Sequence, residues 1–419
     1  MAQPSDEVIF DSMARAFALS QDYPRKEVVR RQTALLERLI RFAHTEVPFY
    51  RDTGRLKPLF RADGRFDMAG WTDVPVLTRN EAKANEAALQ ADRIPIEMGQ
   101  LATRSTSGTT GTPLEFRQTR VQFFATEAWL NRLLQWHNAW PIRRIATHGG
   151  GVESTGDEHM LKVPGRIPFT DQVALLRERR ITHILSAPSM GEGWAEAAPS
   201  KLRDLAAFVA TGEVLRPEVR DKIQRRLGGK VINLYSTSEI GPLAGEGPDG
   251  RLRVSEETVF LEGPTAGVDE GGFTPVVVTP FYAFGTPLIR YAPGDVVRFS
   301  KTPFKRAPGL RRLDEVVGRR RNLFRQPDGR RFLPGRIVAR GLSAILDYRE
   351  WQLVQTSLDD IVMRMVTPRP PTAAEVARLE AYIQESLPNH RTQVEFVDSV
   401  NEALGEGKAY EMFLCLVDD

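Results

Sequence analysis

A cluster of small hydroxyl side chains and glycines is the segment of this chain best suited to bind an anion. In the stretch Arg104-Ser105-Thr106-Ser107-Gly108-Thr109-Thr110-Gly111-Thr112-Pro113, serine and threonine alternate with two glycines. Glycine lets the backbone bend, so that hydroxyl and backbone donors can surround a phosphate inside the bend. No lysine follows Gly111, so this is not a Walker-type P-loop. On composition alone, a polar surface loop is the more common interpretation.

Further polar residues follow short apolar runs elsewhere in the chain. Val231–Tyr235 leads into Ser236-Thr237-Ser238-Glu239, and Arg144–Thr147 leads into His148-Gly149-Gly150. A third loop, Ala210-Thr211-Gly212-Glu213, follows a run that is compatible with either helix or strand. In open α/β sheets, ligands bind just beyond the carboxyl ends of strands, so these loops are candidate pocket walls. For the glycines after His148, a flexible turn is an equally good interpretation.

The elements that would position these residues alternate between strand and helix patterns. Helices are predicted over Arg25–His44 and Val121–Trp140, where Phe123, Phe124, Trp129 and Trp136 are expected to pack inward. Alternating strands and helices predict an α/β fold with a substantially parallel sheet. Residues 250–299 show β alternation, and the Arg/Pro/Gly-rich stretch 305–335 marks a boundary. We therefore predict a large N-terminal domain (1–318) with mixed or parallel sheets, helices and a β-rich lobe, and a small α+β C-terminal domain (319–419) with a helix at Glu375–Leu387.

Composition excludes several classes of protein. The 419 residues are 41% hydrophobic and 26% charged with a net charge of +3, as in a soluble protein of two or three domains. No basic run with interleaved aromatics predicts nucleic-acid binding, and no apolar run predicts a membrane span. The single cysteine, Cys415, lies in an apolar run and is expected to be a buried hydrophobe. No secretory signal is recognisable, so we expect a cytoplasmic protein.

Six loops occur in the order found in adenylate-forming enzymes. They are Arg104–Pro113, Thr211–Glu213, Tyr235–Gly241, Arg290–Asp295, Gly318–Arg319 and Gly407–Lys408. Together they resemble the acyl-/aryl-CoA ligase superfamily, most closely its phenylacetate–CoA ligase-like branch. Pro287-Leu288-Ile289-Arg290-Tyr291-Ala292-Pro293-Gly294-Asp295 and Val47-Pro48-Phe49-Tyr50 are similar to phrases of that branch. The resemblance covers essentially the whole chain.

The resemblance implies an ATP-binding site. Thr106, Ser107, Gly108, Thr109, Thr110 and Gly111 would give donors to the β- and γ-phosphates, and Glu239 would help to hold Mg²⁺. Tyr235 and the Gly212-Glu213 loop would flank adenine, within a nucleotide motif that includes Ser236, Thr237 and Ser238. Asp295 would accept hydrogen bonds from both ribose hydroxyls.

Two basic residues are implied to act in catalysis. Lys408, in the glycine-rich loop Gly405–Ala409, would neutralise charge between the carboxylate and the α-phosphate. Arg319 would reach the ribose or phosphate from the domain junction. The resemblance also implies that the small domain is mobile and rotates between two half-reactions.

The chain departs from the branch at its hinge. Gly318-Arg319-Arg320-Arg321-Asn322 replaces the usual Gly-Arg-Ser-Asp-Asp, so the acidic hinge is missing. The cysteines that bind zinc in some members are also absent, and we expect no zinc. The changed hinge adds weight to an acceptor other than CoA, because CoA transfer depends on the second domain orientation.

The expected reaction is ATP-dependent activation of a carboxylic acid, expected to be aromatic, as its adenylate. Trp129, Trp140, His148, Gly149 and Gly150 could line a flat slot for the acid, and Gly241 is a further candidate contact. The acceptor would be CoA, or alternatively an amine or another nucleophile. A non-catalytic nucleotide- or acyl-binding relative is the lesser alternative, since Glu239, Asp295, Arg319 and Lys408 are all present. The oligomeric state is left open, with a homodimer among the expectations.

Overall fold

The computed structural model describes most of the chain. The described residues are 5–106, 113–148, 159–164, 167–263, 272–301, 309–319, 324–326, 331–332, 342–348, 350–400 and 413–417. Ser107–Gly111, Gly149, Gly150 and Lys408 lie outside these ranges, as does the side chain of Arg319.

Helices occupy the N-terminal part of the chain, alternate with strands in its middle, and recur near its C-terminal end. Their bounds are α1 Asp6–Ser20, α2 Arg25–Glu46, α3 Pro48–Thr53, α4 Arg79–Ala84, α5 Arg120–Trp136, α6 Phe169–Glu178, α7 Pro188–Ala197, α8 Pro217–Arg226, α9 Leu342–Ile345 and α10 Ala373–Ser386. Short 3₁₀ helices cover Lys57–Leu59, Met68–Asp73 and Ile96–Met98.

Several helix ends follow directly from local chemistry. Pro48 and Pro217 stand in the first turns of α3 and α8, where a missing N–H breaks no helical hydrogen bond. Thr372 and Glu375 form a capping box at the start of α10. Helix α5 ends at Trp136, before the residues predicted to complete it, and Asn138 adopts a left-handed conformation with φ of 51°.

The strands of the described residues pair in five sheets. Their bounds are β1 Leu77–Thr78, β2 Leu101–Ser105, β3 Glu115–Thr119, β4 Ile145–His148, β5 Met160–Val163, β6 His183–Ser186, β7 Ala207–Ala210, β8 Lys230–Thr237, β9 Gly241–Glu246, β10 Leu252–Val254, β11 Val259–Leu261, β12 Phe273–Pro275, β13 Val278–Pro280, β14 Tyr291–Ala292, β15 Asp295–Phe299 and β16 Arg312–Arg319. The remaining strands are β17 Phe324–Arg325, β18 Arg331–Phe332, β19 Glu350–Gln355, β20 Asp360–Val366, β21 Arg391–Phe396 and β22 Phe413–Cys415.

The largest sheet has ten strands in the order β12-β15-β16-β10-β9-β8-β7-β6-β4-β5. Strands β5, β4, β6, β7 and β8 are parallel, and the strands from β9 onward pair antiparallel. Helix α5 covers one face, where Trp129 and Leu133 pack with Val209 and Ile232. Trp194 of α7 and Ile223 of α8 pack against the other face. Helices on both faces explain why all four residues of β7 are buried.

A smaller sheet joins distant parts of the chain in the order β1-β14-β13-β11. Its short strand β1 pairs in parallel with β14, so that Leu77 lies beside Tyr291 and Thr78 beside Ala292. Strand β13 pairs antiparallel with both β11 and β14. This pairing brings the start of α4 next to the Pro287–Asp295 motif.

The C-terminal part has its own sheet and hydrophobic core. Strands β21, β20, β19 and β22 form a four-stranded sheet with both parallel and antiparallel pairs. Trp351, Leu353 and Met363 of this sheet pack with Leu379 and Ile383 of α10. The expected α/β architecture with a C-terminal α+β domain is confirmed, and the boundary at residues 318 and 319 stays a prediction.

The prediction that Phe123 packs inward is wrong, because Phe123 lies on the outer side of α5 with 38% of its surface exposed. The ambiguous run that ends at Val209 contributes strand β7. Cys415 is half-buried rather than buried, and its Sγ lies 3.2 Å from Gln355 Oε1.

Within the described ranges, no helix has both the length and the apolar content needed to cross a membrane.

Candidate functional site

The connection between β8 and β9 holds the predicted metal ligand. Strand β8 ends at Thr237, whose Oγ1 accepts a hydrogen bond from the Ile240 N–H at 3.3 Å. Gly241 then reverses the chain with φ of 91°, a conformation that side-chain-bearing residues rarely adopt. A Cβ at Gly241 would also lie 3.2 Å from Thr126 Oγ1. The tight turn places the Glu239 side chain inside the protein, with 5% of its surface exposed.

Arg79, which directly follows β1, and Tyr291 of β14 donate to the same oxygen of Glu239. The Tyr291 hydroxyl donates to Glu239 Oε1 at 2.9 Å, and Arg79 Nη1 donates to it at 3.3 Å. Burial first, and the neighbouring Glu239 carboxylate second, raise the pKa of Tyr291. The tyrosine therefore stays protonated and acts as a donor at neutral pH.

The second oxygen of Glu239 is left available. Within the described part of the chain, Oε2 accepts no hydrogen bond, and it is not among the buried side-chain atoms sealed from solvent. No group of three or more histidine, cysteine, aspartate or glutamate side chains able to hold a metal occurs among the described residues. A single carboxylate oxygen suits Mg²⁺, which commonly takes one or two carboxylates together with substrate phosphates and water. The residues present therefore fit the implied cation.

Thr106 lies where the hydroxyl-rich loop begins. Its backbone N–H donates to the Leu114 carbonyl at 3.0 Å, and its Oγ1 accepts from the Leu114 N–H at 2.9 Å. Arg79 Nη2 also donates to Thr106 Oγ1 at 3.1 Å. These bonds close the base of the β2–β3 hairpin, and Thr106 is buried. The loop's entrance is thereby fixed beside Glu239.

A second pair joins two other predicted nucleotide contacts. The Tyr235 hydroxyl donates to Asp295 Oδ2 at 2.7 Å. Burial, followed by the charge of Asp295, raises the pKa of Tyr235 well above its ordinary value. Gly294, with φ of 97°, makes the turn that starts β15 at Asp295, and Asp295 lies opposite Arg319 in the β15–β16 pair. The structure thus brings together Tyr235, Asp295 and the backbone of Arg319.

The loop after β7 is held by side-chain contacts to β8 and to the start of α7. Thr211 Oγ1 lies 2.7 Å from Ser236 Oγ, and Gly212 adopts φ of 84°. Glu213 accepts hydrogen bonds from the Ser189 N–H at 3.1 Å and the Ser189 hydroxyl at 2.8 Å. A carboxylate in the first turn of a helix is favourable, so Glu213 stabilises the start of α7. Its expected place beside adenine stays a prediction, and Ser238 is exposed.

The residues predicted to line an acid slot lie in different surroundings. Trp129 is completely buried in the core between α5 and the sheet, whereas Trp140 is 40% exposed. His148, at the end of β4, packs edge-on against Trp194 with 6.3 Å between ring centroids. Burial lowers the pKa of His148, which favours a neutral imidazole. The described contacts join none of these three residues to another, so the slot remains a prediction.

A separate cavity lies at the amino-terminal ends of the parallel strands. It has a volume of about 520 Å³ and is lined by Ile142, Arg143, Arg144, His159, Arg180, Thr182 and Asp204. These residues precede β4, β5, β6 and β7, whereas Gly212 follows β7 and Glu239 follows β8. The cavity is therefore not part of the candidate site.

Sequence analysis missed Arg79 and gave Tyr291 no role. Arg79 is the first residue of α4, directly after its N-cap Thr78. A cation at the positive end of a helix dipole is unfavourable, so an arginine there signals a partner outside the helix. Tyr291 stood within a quoted motif, but only the β1–β14 register shows that it meets Glu239.

Comparison with known proteins finds relatives in sequence and in fold. No family model matches the chain. The chain is 27% identical to a phenylacetate–coenzyme A ligase of Thermus thermophilus over 332 residues, which is 70% of this chain and 72% of that protein. It is 26% identical to protein CapK of Staphylococcus aureus over 166 residues, 38% of this chain and only 35% of CapK.

Two solved structures illustrate the likeness in fold. A 2-hydroxyisobutyryl-CoA ligase in the postadenylation state superposes with a TM-score of 0.71 at 19% identity, covering 95% of this chain and 91% of that one. The amide bond synthetase McbA from Marinactinospora thermotolerans, as a variant, gives a TM-score of 0.51 at 18% identity, covering 70% of this chain and 65% of that one. The resemblance drawn from six sequence motifs is thus confirmed, in sequence by the phenylacetate–coenzyme A ligase and in fold by the 2-hydroxyisobutyryl-CoA ligase.

Proposed function

We propose that this protein activates a carboxylic acid with ATP, forming an acyl-adenylate and releasing pyrophosphate. The observation that carries the proposal is a connected set of hydrogen bonds. Arg79 and Tyr291 both donate to Glu239, and Arg79 also donates to Thr106. Tyr235 donates to Asp295. Apart from Arg79, these side chains come from three separate motifs that carry the resemblance. A core-packing role alone would not leave a buried carboxylate with an open oxygen.

ATP would lie along the carboxyl ends of β8 and the start of β15. Asp295 would bind the ribose hydroxyls, with the Tyr235 hydroxyl holding its carboxylate in place. Adenine would lie between Tyr235 and the Gly212-Glu213 loop, and Ser236, Thr237 and Ser238 would border the nucleotide. Thr106 and the loop Ser107–Gly111 would donate to the β- and γ-phosphates. Gly241 would border the acid through its backbone.

The chemical step is attack of a substrate carboxylate oxygen on the α-phosphorus. The bond between the α-phosphorus and the bridging oxygen breaks, and the electron pair leaves with pyrophosphate. Glu239 would hold Mg²⁺, which when bound supplies positive charge to the phosphates. Lys408 and Arg319 would neutralise charge that develops at the α-phosphate and the carboxylate.

For the acid we propose an aromatic carboxylate, and for the acceptor the thiol of CoA. Support for the acid is the branch resemblance together with Trp129, Trp140, His148, Gly149 and Gly150 as candidate wall residues. A cytoplasmic location and a CoA-dependent second half-reaction belong to the same proposal. CoA would attack the adenylate carbonyl carbon through sulfur, with AMP as the leaving group.

Transfer to an amine or another nucleophile is the second candidate. The observation that favours it is the basic hinge Gly318-Arg319-Arg320-Arg321-Asn322, which lacks the acidic pair of the branch. In the expected mechanism, CoA transfer requires rotation of the small domain about its hinge. The altered hinge weakens the support for that rotation, and with it the support for CoA as the acceptor. A non-catalytic binding protein is the remaining alternative.

The test separates the two half-reactions. Pyrophosphate release is measured with benzoates, hydroxybenzoates, aminobenzoates and phenylacetates, each with and without CoA. We expect one or more acids to trigger release in wild type, and Lys408→Ala to lower the rate by about 100-fold or more because a charge-stabilising group is lost. Lys201→Ala, an exposed lysine outside the candidate site, serves as the matched control.

The acceptor is identified by the products. A thioester formed only with CoA supports the first candidate, and release without thioester supports an amine or another acceptor. Nucleotide binding without acid-dependent release from any acid of the panel would contradict the enzymatic proposal and favour the binding protein.

A further inference from the structure

Arg79 uses the two ends of one guanidinium group to join two parts of the candidate site. Nη1 donates to Glu239 Oε1 at 3.3 Å, and Nη2 donates to Thr106 Oγ1 at 3.1 Å. Glu239 belongs to the β8–β9 connection, and Thr106 opens the predicted phosphate loop. These two segments are 133 residues apart along the chain by subtraction of their numbers. Arg79 is therefore a direct link between the predicted metal ligand and the predicted phosphate ligand.

The backbone of Arg79 is fixed independently of these contacts. Thr78 Oγ1 accepts from the Glu81 N–H at 3.2 Å and caps α4. The preceding strand β1 is held in register with β14, and the Leu77 N–H donates to the Arg290 carbonyl at 2.9 Å. Only 28% of the Arg79 side chain is exposed. The guanidinium is thus held at a set place.

The Glu239 carboxylate accepts both of its hydrogen bonds through one oxygen. Glu239 Oε1 takes both Arg79 and the Tyr291 hydroxyl, while Oε2 has no partner in the described part of the chain. With Oε1 occupied by two donors, the carboxylate cannot rotate without breaking both bonds. Oε2 is held in one direction, at the start of the loop that would carry the triphosphate.

We propose that Arg79 is a positioning residue that couples the metal to the nucleotide. It fixes Glu239 and Thr106 in one geometry, so that a divalent cation and the triphosphate each bind better when the other is present. The inference rests on the proposed function. It requires the planar fork of arginine, because lysine has one ammonium group and cannot reproduce two donors in a rigid plane.

The size of the effect follows from the behaviour of groups that orient metal ligands. Loss of such a partner typically lowers metal affinity 10- to 100-fold. We therefore expect Arg79→Lys to reduce the coupling between metal and nucleotide by about 10-fold or more, although the positive charge is retained. Arg79→Gln should have the same effect on coupling.

The experiment measures binding to the full-length protein without turnover. Mn²⁺ is the metal probe, followed by electron paramagnetic resonance, and α,β-methylene-ATP is the nucleotide probe, because its methylene bridge blocks cleavage at the α-phosphorus. Affinity for the nucleotide is determined with and without Mn²⁺, and the ratio is the coupling factor. Arg61→Lys is the matched control, since Arg61 is an exposed arginine paired with Asp67 at 2.8 Å away from the site.

A second pair of variants tests the link from the other side. Thr106→Val removes the hydroxyl acceptor without changing Arg79, and Thr106→Ser keeps it. Thr106→Val should lose the coupling, because Arg79 then has no acceptor at the start of the predicted phosphate loop. Thr106→Ser should retain it, because the hydroxyl that accepts from Arg79 is kept. Thermal unfolding of each variant confirms that loss of coupling occurs in folded protein.

The outcomes separate the inference from the proposed function. If Arg79→Lys keeps the coupling of wild type while Arg79→Gln loses it, charge alone suffices and the inference is wrong. If both variants weaken metal-free nucleotide binding but leave the ratio unchanged, Arg79 acts on the phosphates alone and the inference is again wrong. Wild-type protein that binds the analogue with no metal dependence would overturn the inference even if acids trigger pyrophosphate release. Wild-type protein that neither binds the analogue nor releases pyrophosphate would overturn both proposals.

Discussion

Two arginine–glutamate pairs lie on either side of the β1–β14 pairing and differ in how completely each is satisfied. Arg290 and Glu262 form a two-pronged pair with distances of 2.7 and 2.8 Å, and each side chain is 7% exposed. Arg290 also donates to the carbonyls of Trp71, Thr72 and Val74. Arg79 and Glu239 share a single contact of 3.3 Å and leave one carboxylate oxygen without a partner.

The difference separates a structural pair from a pair suited to binding. All three guanidinium nitrogens of Arg290 donate hydrogen bonds inside the protein, so the pair ties the smaller sheet to the N-terminal segment. Glu239 is as deeply buried as Glu262 yet keeps an open oxygen, which a buried carboxylate retains only where another charge can reach it. Glu239 therefore differs from Glu262 in having an oxygen without a hydrogen-bond donor among the described residues, and not in its burial.

Breaking the structural pair should have the largest effect on stability. Arg290→Met leaves Glu262 buried without its partner and removes a donor from the carbonyls of Trp71, Thr72 and Val74. Removal of one member of a buried pair costs about 3–5 kcal/mol. Urea unfolding followed by circular dichroism measures this loss. The double variant Arg290→Met with Glu262→Met should recover part of it, and a loss below about 1 kcal/mol in the single variant would contradict the comparison.

Tyr291→Phe should have the next largest effect, because it removes one of the two donors to Glu239. Hydrogen bonds to charged groups contribute about 1.5–3 kcal/mol. The ring stays in the core, so packing is preserved. The same unfolding measurement applies, with Tyr282→Phe as the control, because the Tyr282 hydroxyl makes no hydrogen bond within the described residues. An unchanged midpoint would mean that Glu239 does not depend on this donor.

Alkaline pH should destabilise wild type more than Tyr291→Phe. The pKa of Tyr291 is raised in the folded protein, so its stabilising effect is fully present below pH 10, the ordinary tyrosine value, and is lost as pH rises above it. At about pH 11 the difference between the two proteins should shrink by about 1.4 kcal/mol, the value of one pH unit for one proton. Unfolding free energies measured at pH 8 and pH 11 check this. A constant difference would show that Tyr291 ionises normally.

Arg79→Gln should have the smallest effect on stability. The pair with Glu239 is long and partly exposed, and such pairs contribute about 1 kcal/mol or less. A loss comparable to that of Arg290→Met would assign Arg79 to the structural class. The comparison is sharpest if Arg79→Gln unfolds like wild type while its coupling of metal and nucleotide is lost.

Much of this fold followed from sequence patterns, and the exceptions have physical causes. Short apolar runs predicted the parallel strands β4 and β8, because strands buried on both faces read as short apolar runs. The run that ends in β7 was compatible with helix or strand, and no strand was predicted at β5. The motifs around Glu239 and Asp295 were recognised because their residues are close in sequence. Arg79 was missed because its role depends on a strand of two residues, Leu77–Thr78, which carries too little pattern to identify.

Local motifs were also poor guides to the environment of a side chain. Arg290 lies in a motif that ends at Asp295, yet its guanidinium forms an ion pair with Glu262 and donates to backbone carbonyls. Trp129 and Trp140 are equally aromatic, but one is buried in the core and the other exposed. Which side of a helix or strand faces a ligand depends on packing between distant elements, and spacing along the chain does not encode it.

The two-residue strand β1 also determines when the site can form during synthesis. Arg79 reaches Glu239 only when Leu77 pairs with Tyr291, which is translated 214 residues later by subtraction of their numbers. At roughly 5–20 residues per second, a ribosome leaves the N-terminal segment unpaired for about 10–40 seconds. Contacts of such long sequence separation also slow folding after synthesis. A nascent chain should therefore acquire nucleotide affinity late and in one step, and fragments that end before Tyr291 should have none.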